Sequence, residues 1–139
     1  MNTVFLTGAS SGIGKAAARL FAAQGWQVAA SMRHPEREAE LGDLPNVRLF
    51  ACDVTDFASI EQAVADAISA FGWIDALVNN AGYDAVGPLE GASEGQIRSQ
   101  VETNLIGTIL VTKAILPHFR ANGGGTLINL SSVAGRMSM

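Results

Sequence analysis

The chain has 139 residues, 48% of them apolar, and a formal net charge of −4 at neutral pH. These values suit one domain with its own core, and the interspersed charges exclude the basic patch that a nucleic-acid backbone requires. A single cysteine, Cys52, excludes an intrachain disulfide, and the apolar runs are too short to cross a bilayer. No secretion signal precedes the first strand. We therefore expect a soluble, cytoplasmic protein without nucleic-acid or membrane partners.

Short apolar runs alternate with amphipathic helical stretches along the chain, which indicates βαβ organisation. The runs are continuously apolar, as in parallel strands covered on both faces. The first helix spans residues 12–24 and ends at Gly25; the second spans residues 57–71 and ends at Gly72. The predicted strands are residues 3–7, 27–31, 47–51, 76–79 and 126–130.

A third, longer helix begins at Ser93, because residues 93–96 have the pattern of a capping box. It runs towards Pro117, and the glycines at 123–125 end the segment. Right-handed crossovers then favour an α/β fold with a doubly wound parallel sheet of order 3-2-1-4-5. Residues 1–139 are thus predicted to form a Rossmann-type domain, incomplete on its carboxyl-terminal side. Its ligand crevice lies between strands 1 and 4.

The turn between the first strand and the first helix has the pattern Gly8-x-x-x-Gly12-x-Gly14. Gly8 permits a tight bend, Gly12 lets the backbone approach a pyrophosphate, and Gly14 lets helix and strand pack closely. The helix amino terminus then faces the phosphates. An ordinary strand-to-helix turn is the alternative, since the bare pattern has low specificity. The strand before it and the helix after it favour a dinucleotide site.

Several motifs along the whole chain resemble those of the short-chain dehydrogenase/reductase family. Thr7-Gly8-x-x-x-Gly12-Ile13-Gly14 is similar to its cofactor turn, and Asn79-Asn80-Ala81-Gly82 is similar to the signature beside the cofactor ribose. Asp53-Val54, after the third strand, matches the position that meets the adenine. The resemblance implies an oxidoreductase that transfers hydride between a nicotinamide cofactor and a carbonyl or alcohol carbon.

The same resemblance implies two catalytic residues. Asn104 aligns with the family asparagine that holds a proton-relay water, and Ser132 aligns with the active-site serine, with Ser131 only its neighbour. A Tyr-x-x-x-Lys pair beyond that serine supplies the proton in this family. Tyr83 is the only tyrosine of the 139 residues, and no lysine follows it at that spacing. We therefore expect a cofactor-binding portion that turns over little by itself. The alternative is a catalytically silent dinucleotide-binding module or truncation product.

Plainer interpretations stand beside these assignments. Asp53 can be a loop carboxylate before a helix, and Asn79 and Asn80 can be turn residues bonded to local backbone. Asn104 has poor helix propensity, so it either faces solvent or makes a required polar contact, and its apolar neighbours favour burial. Ser132 can be one more serine at a strand end.

The end of the second strand bears on the choice between NAD and NADP. An NAD site places Asp or Glu there to bind the ribose hydroxyls, whereas this chain has Met32. The next residue, Arg33, can pair with a 2′-phosphate, so NADP is preferred over NAD. A solvated arginine near Glu36 and Glu38 is the alternative. The predicted cofactor-binding residues are Thr7, Gly8, Ser10, Ser11, Gly12, Ile13, Gly14, Arg33, Asp53, Val54, Asn80, Ala81 and Gly82.

Other conspicuous residues are assigned no catalysis. Cys52 is predicted to be a small buried side chain, and Tyr83 to line the substrate side of the crevice. His34 and His118 lack partners at ligand spacing, so surface or capping roles are expected and no metal site is implied. The strand at 127–130 and one face of the third helix are expected to be uncovered. Exposed apolar edges favour self-association as a homo-oligomer, or marginal stability.

Overall fold

A computed structural model describes residues 1–136 of the chain. Five parallel strands form one sheet in the order β3-β2-β1-β4-β5, as predicted. None of the helices within these residues is long and apolar enough to span a membrane. The strands are β1 Thr3–Thr7, β2 Gln27–Met32, β3 Val47–Ala51, β4 Ala76–Asn79 and β5 Thr126–Asn129; the helices are α1 Gly12–Ala23, α2 Phe57–Phe71, α3 Glu94–Val101 and α4 Thr108–Ala121.

The hydrophobic core lies on both faces of the central strands. All residues of β1 and β4 are buried. Val4 and Leu6 face the side covered by α1, whereas Phe5 packs among residues of α2 and α4, including Ile60 and Ile115. Each large apolar side chain so buried stabilises the fold by about 1.5–3 kcal/mol. This packing fixes the carboxyl ends of β1 and β4 side by side.

The chain after β4 forms one continuous helical rod from Glu94 to Ala121. The predicted capping box begins it: the Ser93 hydroxyl accepts from the Gln96 backbone N–H at 3.2 Å, and the Gln96 side chain accepts from the Ser93 N–H at 2.8 Å. A wider π-helical segment, Glu102–Gly107, joins α3 to α4. The helix continues past Pro117, with Phe119 buried in the core, and ends at Ala121, just before the glycines at 123–125 that were predicted to end the segment.

The edge of the sheet at β5 is open, as expected from the sequence. All four residues of β5 are exposed, with Leu127 and Ile128 each at 41%. The prediction of strands covered on both faces is therefore wrong for β5, which pairs with β4 at the edge of the sheet. One side of the rod is exposed as well. Its large apolar residues there are Ile97, Val101, Leu105 and Ile109.

Candidate functional site

A cavity of about 1080 Å³ opens at the carboxyl ends of β1 and β4. It lies in the predicted crevice and slightly exceeds the range of about 300–1,000 Å³ for ligand pockets. Thr7 is buried behind its wall. The predicted site residues that line it are Gly8, Ser10, Ser11, Gly12, Ile13, Gly14, Arg33, Asp53, Val54, Asn80, Ala81, Gly82, Asn104 and Ser132.

The turn after β1 presents bare backbone to this cavity. Gly8 and Gly12 have φ of +70° and +54°, a region that glycine adopts without strain. A Cβ on Gly12 would meet nothing within 4 Å, so a ligand can approach the backbone there. Ser11 makes no side-chain cap, and the first turn of α1 holds no acidic residue. The helix amino terminus therefore offers its N–H groups and positive dipole end to an anion, which fits a pyrophosphate.

Asn80 fastens the end of β4 to the glycine turn. Its Nδ2 donates to the carbonyl oxygens of Thr7 at 3.0 Å and Gly8 at 3.1 Å. The Thr7 hydroxyl oxygen accepts from the backbone N–H groups of Asn80 at 3.1 Å and Ala81 at 3.0 Å. A Cβ on Gly14 would overlap both the Gly8 carbonyl and the Asn80 amide. The local-turn interpretation of Asn80 is wrong, because its partners lie 72 and 73 residues away.

Asn79 supports the sheet beside the cavity. It is 5% exposed, and its Nδ2 donates to Thr112 Oγ1 at 3.0 Å and to Asn129 Oδ1 at 2.9 Å. Within residues 1–136 its Oδ1 finds no hydrogen-bond partner. These partners belong to α4 and β5, so the local-turn interpretation is wrong here too. Asn79 joins three elements around the cavity.

Asp53 lies in the cavity wall just after β3. Its Oδ1 accepts from the backbone N–H of Thr55 at 2.9 Å and from the Thr55 hydroxyl at 2.7 Å. These hydrogen bonds, aided by the charge of Arg33 and opposed by partial burial, hold the pKa of the Asp53 carboxyl below its ordinary value. The cap of α2 is Asp56, not Asp53. Asp53 is therefore an ionised acceptor in the wall.

Arg33 is exposed and lines the cavity. The two carboxylates expected near it contact other basic groups. A Glu36 oxygen lies 3.2 Å from His34 Nδ1, and a Glu38 oxygen lies 3.0 Å from Lys15 Nζ. The guanidinium thus remains available to a ligand in the cavity.

Asn104 lies in the π-helical segment, and its side chain forms two hydrogen bonds with the backbone of Tyr83, which we call the Asn104 clip. Its Oδ1 accepts from the Tyr83 N–H at 3.0 Å, and its Nδ2 donates to the Tyr83 carbonyl at 2.8 Å. Tyr83 lines the cavity, as predicted. The expected burial of Asn104 is wrong, because this side of the rod faces the open cavity and the neighbouring Leu105 is itself 54% exposed.

Ser132 and Ser131 line the cavity after β5. Ser132 Oγ accepts from the backbone N–H of Ala134 at 3.2 Å. Because this bond uses a lone pair of the oxygen, the hydroxyl hydrogen stays free to be donated. Ser132 can therefore offer a hydrogen bond to an oxygen atom in the cavity.

The remaining titratable residues have structural surroundings. Cys52 is buried, and burial raises the pKa of its thiol to about 11, so it is no nucleophile near neutral pH. His118 Nε2 accepts from the backbone N–H of Ile74 at 3.1 Å. Among residues 1–136, no group of three His, Cys, Asp or Glu side chains is arranged to hold a metal ion.

Sequence reasoning missed part of the wall. Thr103 and Thr108 lie one residue before and four residues after Asn104, so helical spacing around Asn104 was an available signal. No sequence signal indicated that Lys15 reaches Glu38, because pairing across 23 positions depends on the fold. The additional lining residues are Met32, Cys52, Thr55, Asn79, Asp84, Thr103, Thr108, Leu130 and Ser131.

Comparison with known proteins agrees with this geometry. The family model described as short chain dehydrogenase matches residues 2–139. The chain is 39% identical over 136 residues to the 3-ketodihydrosphingosine reductase of Bacteroides thetaiotaomicron, covering 98% of this chain and 49% of that protein. It is 41% identical over 140 residues to the D-threitol dehydrogenase of Mycolicibacterium smegmatis, covering 96% and 54%.

A similar solved structure is that of ElxO with NADP bound, with a TM-score of 0.91 and 29% sequence identity. The match covers 99% of this chain and 58% of that one. The chain thus spans about half the length of the relatives that it matches.

Proposed function

The chain belongs to the short-chain dehydrogenase family, and from this premise we propose that it is the cofactor-binding portion of an NADP-dependent oxidoreductase acting on a carbonyl or alcohol. The observation that carries the proposal is the cavity itself. It combines bare backbone at Gly12, the uncapped start of α1 and the free guanidinium of Arg33. Two of these features suit a pyrophosphate and the third suits an additional phosphate.

The nucleotide extends along the carboxyl edge of the sheet in this proposal. The pyrophosphate lies against residues 8–14, and the adenine meets Asp53 and Val54. Arg33 binds the 2′-phosphate, while the backbone of residues 80–82 meets the nicotinamide ribose. The charge of Arg33 beside the ionised Asp53 supports this order, because a guanidinium and a carboxylate recognise different parts of the adenosine end.

The reacting centre lies towards β5 and the π-helical segment. The nicotinamide, when bound, donates or accepts the hydride. Ser132 donates a hydrogen bond from its hydroxyl to the substrate oxygen and keeps its proton. The Asn104 carbonyl accepts from the Thr108 hydroxyl at 3.2 Å, and in this proposal Asn104 holds a water of the proton relay. Tyr83 contributes to the substrate side.

The proton donor that the family resemblance implies is a Tyr-x-x-x-Lys pair. Tyr83 is not followed by a lysine at four residues, so residues 1–139 contain no Tyr-x-x-x-Lys pair. We therefore infer little turnover by the 139-residue chain. The same observation favours a second candidate, a dinucleotide-binding module without catalysis. The exposed edge at β5 supports homo-oligomer formation, and a lone buried cysteine is compatible with the cytoplasm.

Calorimetric titration with NADPH and NADH tests the cofactor assignment. Replacing Arg33→Ala is expected to weaken NADPH binding by roughly tenfold or more, as for a lost charged hydrogen bond, and NADH binding by less than about twofold. Arg37→Ala is the matched control, since Arg37 is exposed in the same loop but does not line the cavity. Equal losses for both nucleotides on replacing Arg33 would contradict the NADP preference. No binding of either nucleotide to the wild type would contradict the site.

A further inference from the structure

Four charged side chains join α1 to the loop that carries Arg33. Lys15 Nζ lies 3.0 Å from a Glu38 oxygen and 3.4 Å from a Glu40 oxygen. Arg19, one turn further along α1, also pairs with Glu40. We call Lys15, Arg19, Glu38 and Glu40 the loop clamp. It connects two segments that are separate in sequence but border the same cavity.

Glu38 is the sequestered member of the loop clamp, with a side chain only 5% exposed. Its second oxygen accepts from the backbone N–H of Leu41 at 3.1 Å, and Leu41 is fully buried in the core. Desolvation opposes the charge on Glu38, but the Leu41 hydrogen bond and the nearby Lys15 outweigh it and hold the pKa of this carboxyl below its ordinary value. A shielded pair with a second hydrogen bond fixes geometry better than an exposed pair does.

The loop clamp acts at a short distance from Arg33 along the chain. Only four residues separate Arg33 from Glu38, and three of them form the tight turn Pro35–Arg37. Lys15 directly follows Gly14, which lies closely against the Gly8 carbonyl and the Asn80 side chain. The loop is therefore held at both ends, at Met32, which is buried at the end of β2, and at Glu38, so the backbone between them has little room to move.

The loop clamp also sets the local charge. Lys15 and Arg19 neutralise two carboxylates that would otherwise repel a phosphate near Arg33. Lys15 does not itself line the cavity. The cation left facing the cavity at this end is Arg33, as far as residues 1–136 show.

We infer that Lys15 and Glu38 are positioning residues that hold the Arg33 loop, and thereby set the preference for a nicotinamide nucleotide with a 2′-phosphate over one without. This inference rests on the proposed NADP site. Neither residue touches the nucleotide, so breaking their pair changes selectivity through Arg33. Breaking the pair is expected to leave the pyrophosphate site at the start of α1 unaltered.

Glu38→Gln is the first test, because glutamine keeps an oxygen for the Leu41 N–H and removes the charge. Calorimetry is expected to give NADPH binding weakened by about three- to tenfold and NADH binding changed by less than about twofold, the size of effect usual for mutations that act through neighbours. Lys15→Met keeps the aliphatic stem and is expected to give a selective loss at least as large, because it also breaks the contact with Glu40. The double variant is expected to lose no more than Lys15→Met alone, because that variant already breaks the Lys15–Glu38 pair together with the Lys15 contact to Glu40.

The alternative role for Lys15, as a direct phosphate ligand, predicts the opposite sign for one variant. Freed by Glu38→Gln, Lys15 would then strengthen NADPH binding, and that result would overturn the inference. Equal weakening of NADPH and NADH by both variants would overturn it as well, since it would indicate general support of the nucleotide cradle. If Glu38→Gln does not fold, Lys15→Met decides alone, because this side chain is partly exposed.

The matched control is Glu94→Gln, which breaks the exposed Arg98–Glu94 pair of α3 at 2.8 Å. It is expected to leave both affinities unchanged. Arg33→Ala separates the two proposals. If that variant is not selective for NADPH, the proposed NADP site fails. If it is selective and Glu38→Gln is not, only the positioning inference fails.

Discussion

Asn80 donates two hydrogen bonds to Thr7, a residue 73 positions earlier in the chain. One runs from its backbone N–H to the Thr7 hydroxyl and the other from its side chain to the Thr7 carbonyl. Together they hold the ends of β4 and β1 in register where the cavity opens. The glycine turn is therefore positioned by a strand that is remote in sequence.

Asn80→Ala is expected to destabilise the fold by about 1–3 kcal/mol, because it leaves two backbone carbonyls without their donor. NADPH affinity should fall as well, since the turn loses its support. Urea denaturation and calorimetry measure the two effects. The matched control is Asn46→Ala, because the Asn46 amide also donates to two backbone carbonyls, at 2.9 and 2.7 Å, away from the cavity. Similar stability losses with equal NADPH affinity would contradict a role for Asn80 in the site.

Gly14→Ala is expected to destabilise the protein by about 1–3 kcal/mol or more, because the added Cβ overlaps the Gly8 carbonyl and a backbone group cannot swing away. Gly95→Ala provides a control of opposite sign. Gly95 also lies in the first turn of a helix, but its Cβ would meet only Ser93 Oγ, at 3.9 Å. Alanine there should stabilise by about 0.5–1 kcal/mol through helix propensity. Denaturant midpoints of the two variants should move in opposite directions, and a shared direction would refute the close-packing argument.

Asn104→Ala is expected to release the backbone of Tyr83. The Tyr83 amide proton should then exchange with solvent faster, by roughly tenfold for a loss of about 1.4 kcal/mol. Asn104→Asp is the informative companion, because a carboxylate still accepts from the Tyr83 N–H but no longer donates to its carbonyl. Hydrogen exchange should therefore stay slow in the aspartate variant. Equally slow exchange in the alanine variant would show that the clip does not hold this segment.

The stability of the protein is expected to decrease in mild acid through His118. Burial lowers the pKa of this imidazole, with Asp75 opposing the shift, and its Nε2 must stay unprotonated to accept from Ile74. The unfolded state, with a histidine pKa near about 6.5, then binds the proton more readily than the folded state. Stability is thus fully present above pH of about 6.5 and is lost as the pH falls through the depressed folded value.

Urea denaturation between pH 5 and 8, roughly the range in which histidine titrates, measures this dependence. His118→Gln should flatten the profile, since glutamine can accept the Ile74 hydrogen bond without titrating. An unchanged slope in the His118 variant would assign the acid sensitivity to other groups.

Much of the fold follows from local patterns. The apolar runs and the glycines that end helices predicted the five strands and the first two helices to within one residue, because hydrophobic period and chain breakers are local properties. The glycines at 123–125 marked the end of the third helical segment in the same way, but its path through Pro117 was not predictable from local pattern. Its continuation past Pro117 depends on the burial of Phe119 against the sheet.

The candidate site was likewise predictable where it depends on local sequence and not where it depends on packing. The spacing of Gly8, Gly12 and Gly14 indicated where a phosphate could approach the backbone. Glycine has no Cβ and can adopt a positive φ, and both properties are known from the residue type. The roles of Asn79 and Asn80 could not be inferred from the residues next to them in the sequence. Their hydrogen bonds reach residues 33 to 73 positions away, and only strand order brings those groups within 3.5 Å.

The alternating elements, the parallel sheet and the place of the crevice follow from the order of residues alone, because these features depend on periodicity, glycine and the handedness of connections. Which side chains meet in the crevice depends on the folded arrangement. The pairing of Lys15 with Glu38, the clip of Asn104 on Tyr83 and the exposure of Asn104 all depend on how separate segments pack. Hydrogen bonds and ion pairs act over a few ångströms, so contacts between distant positions are set when the chain folds.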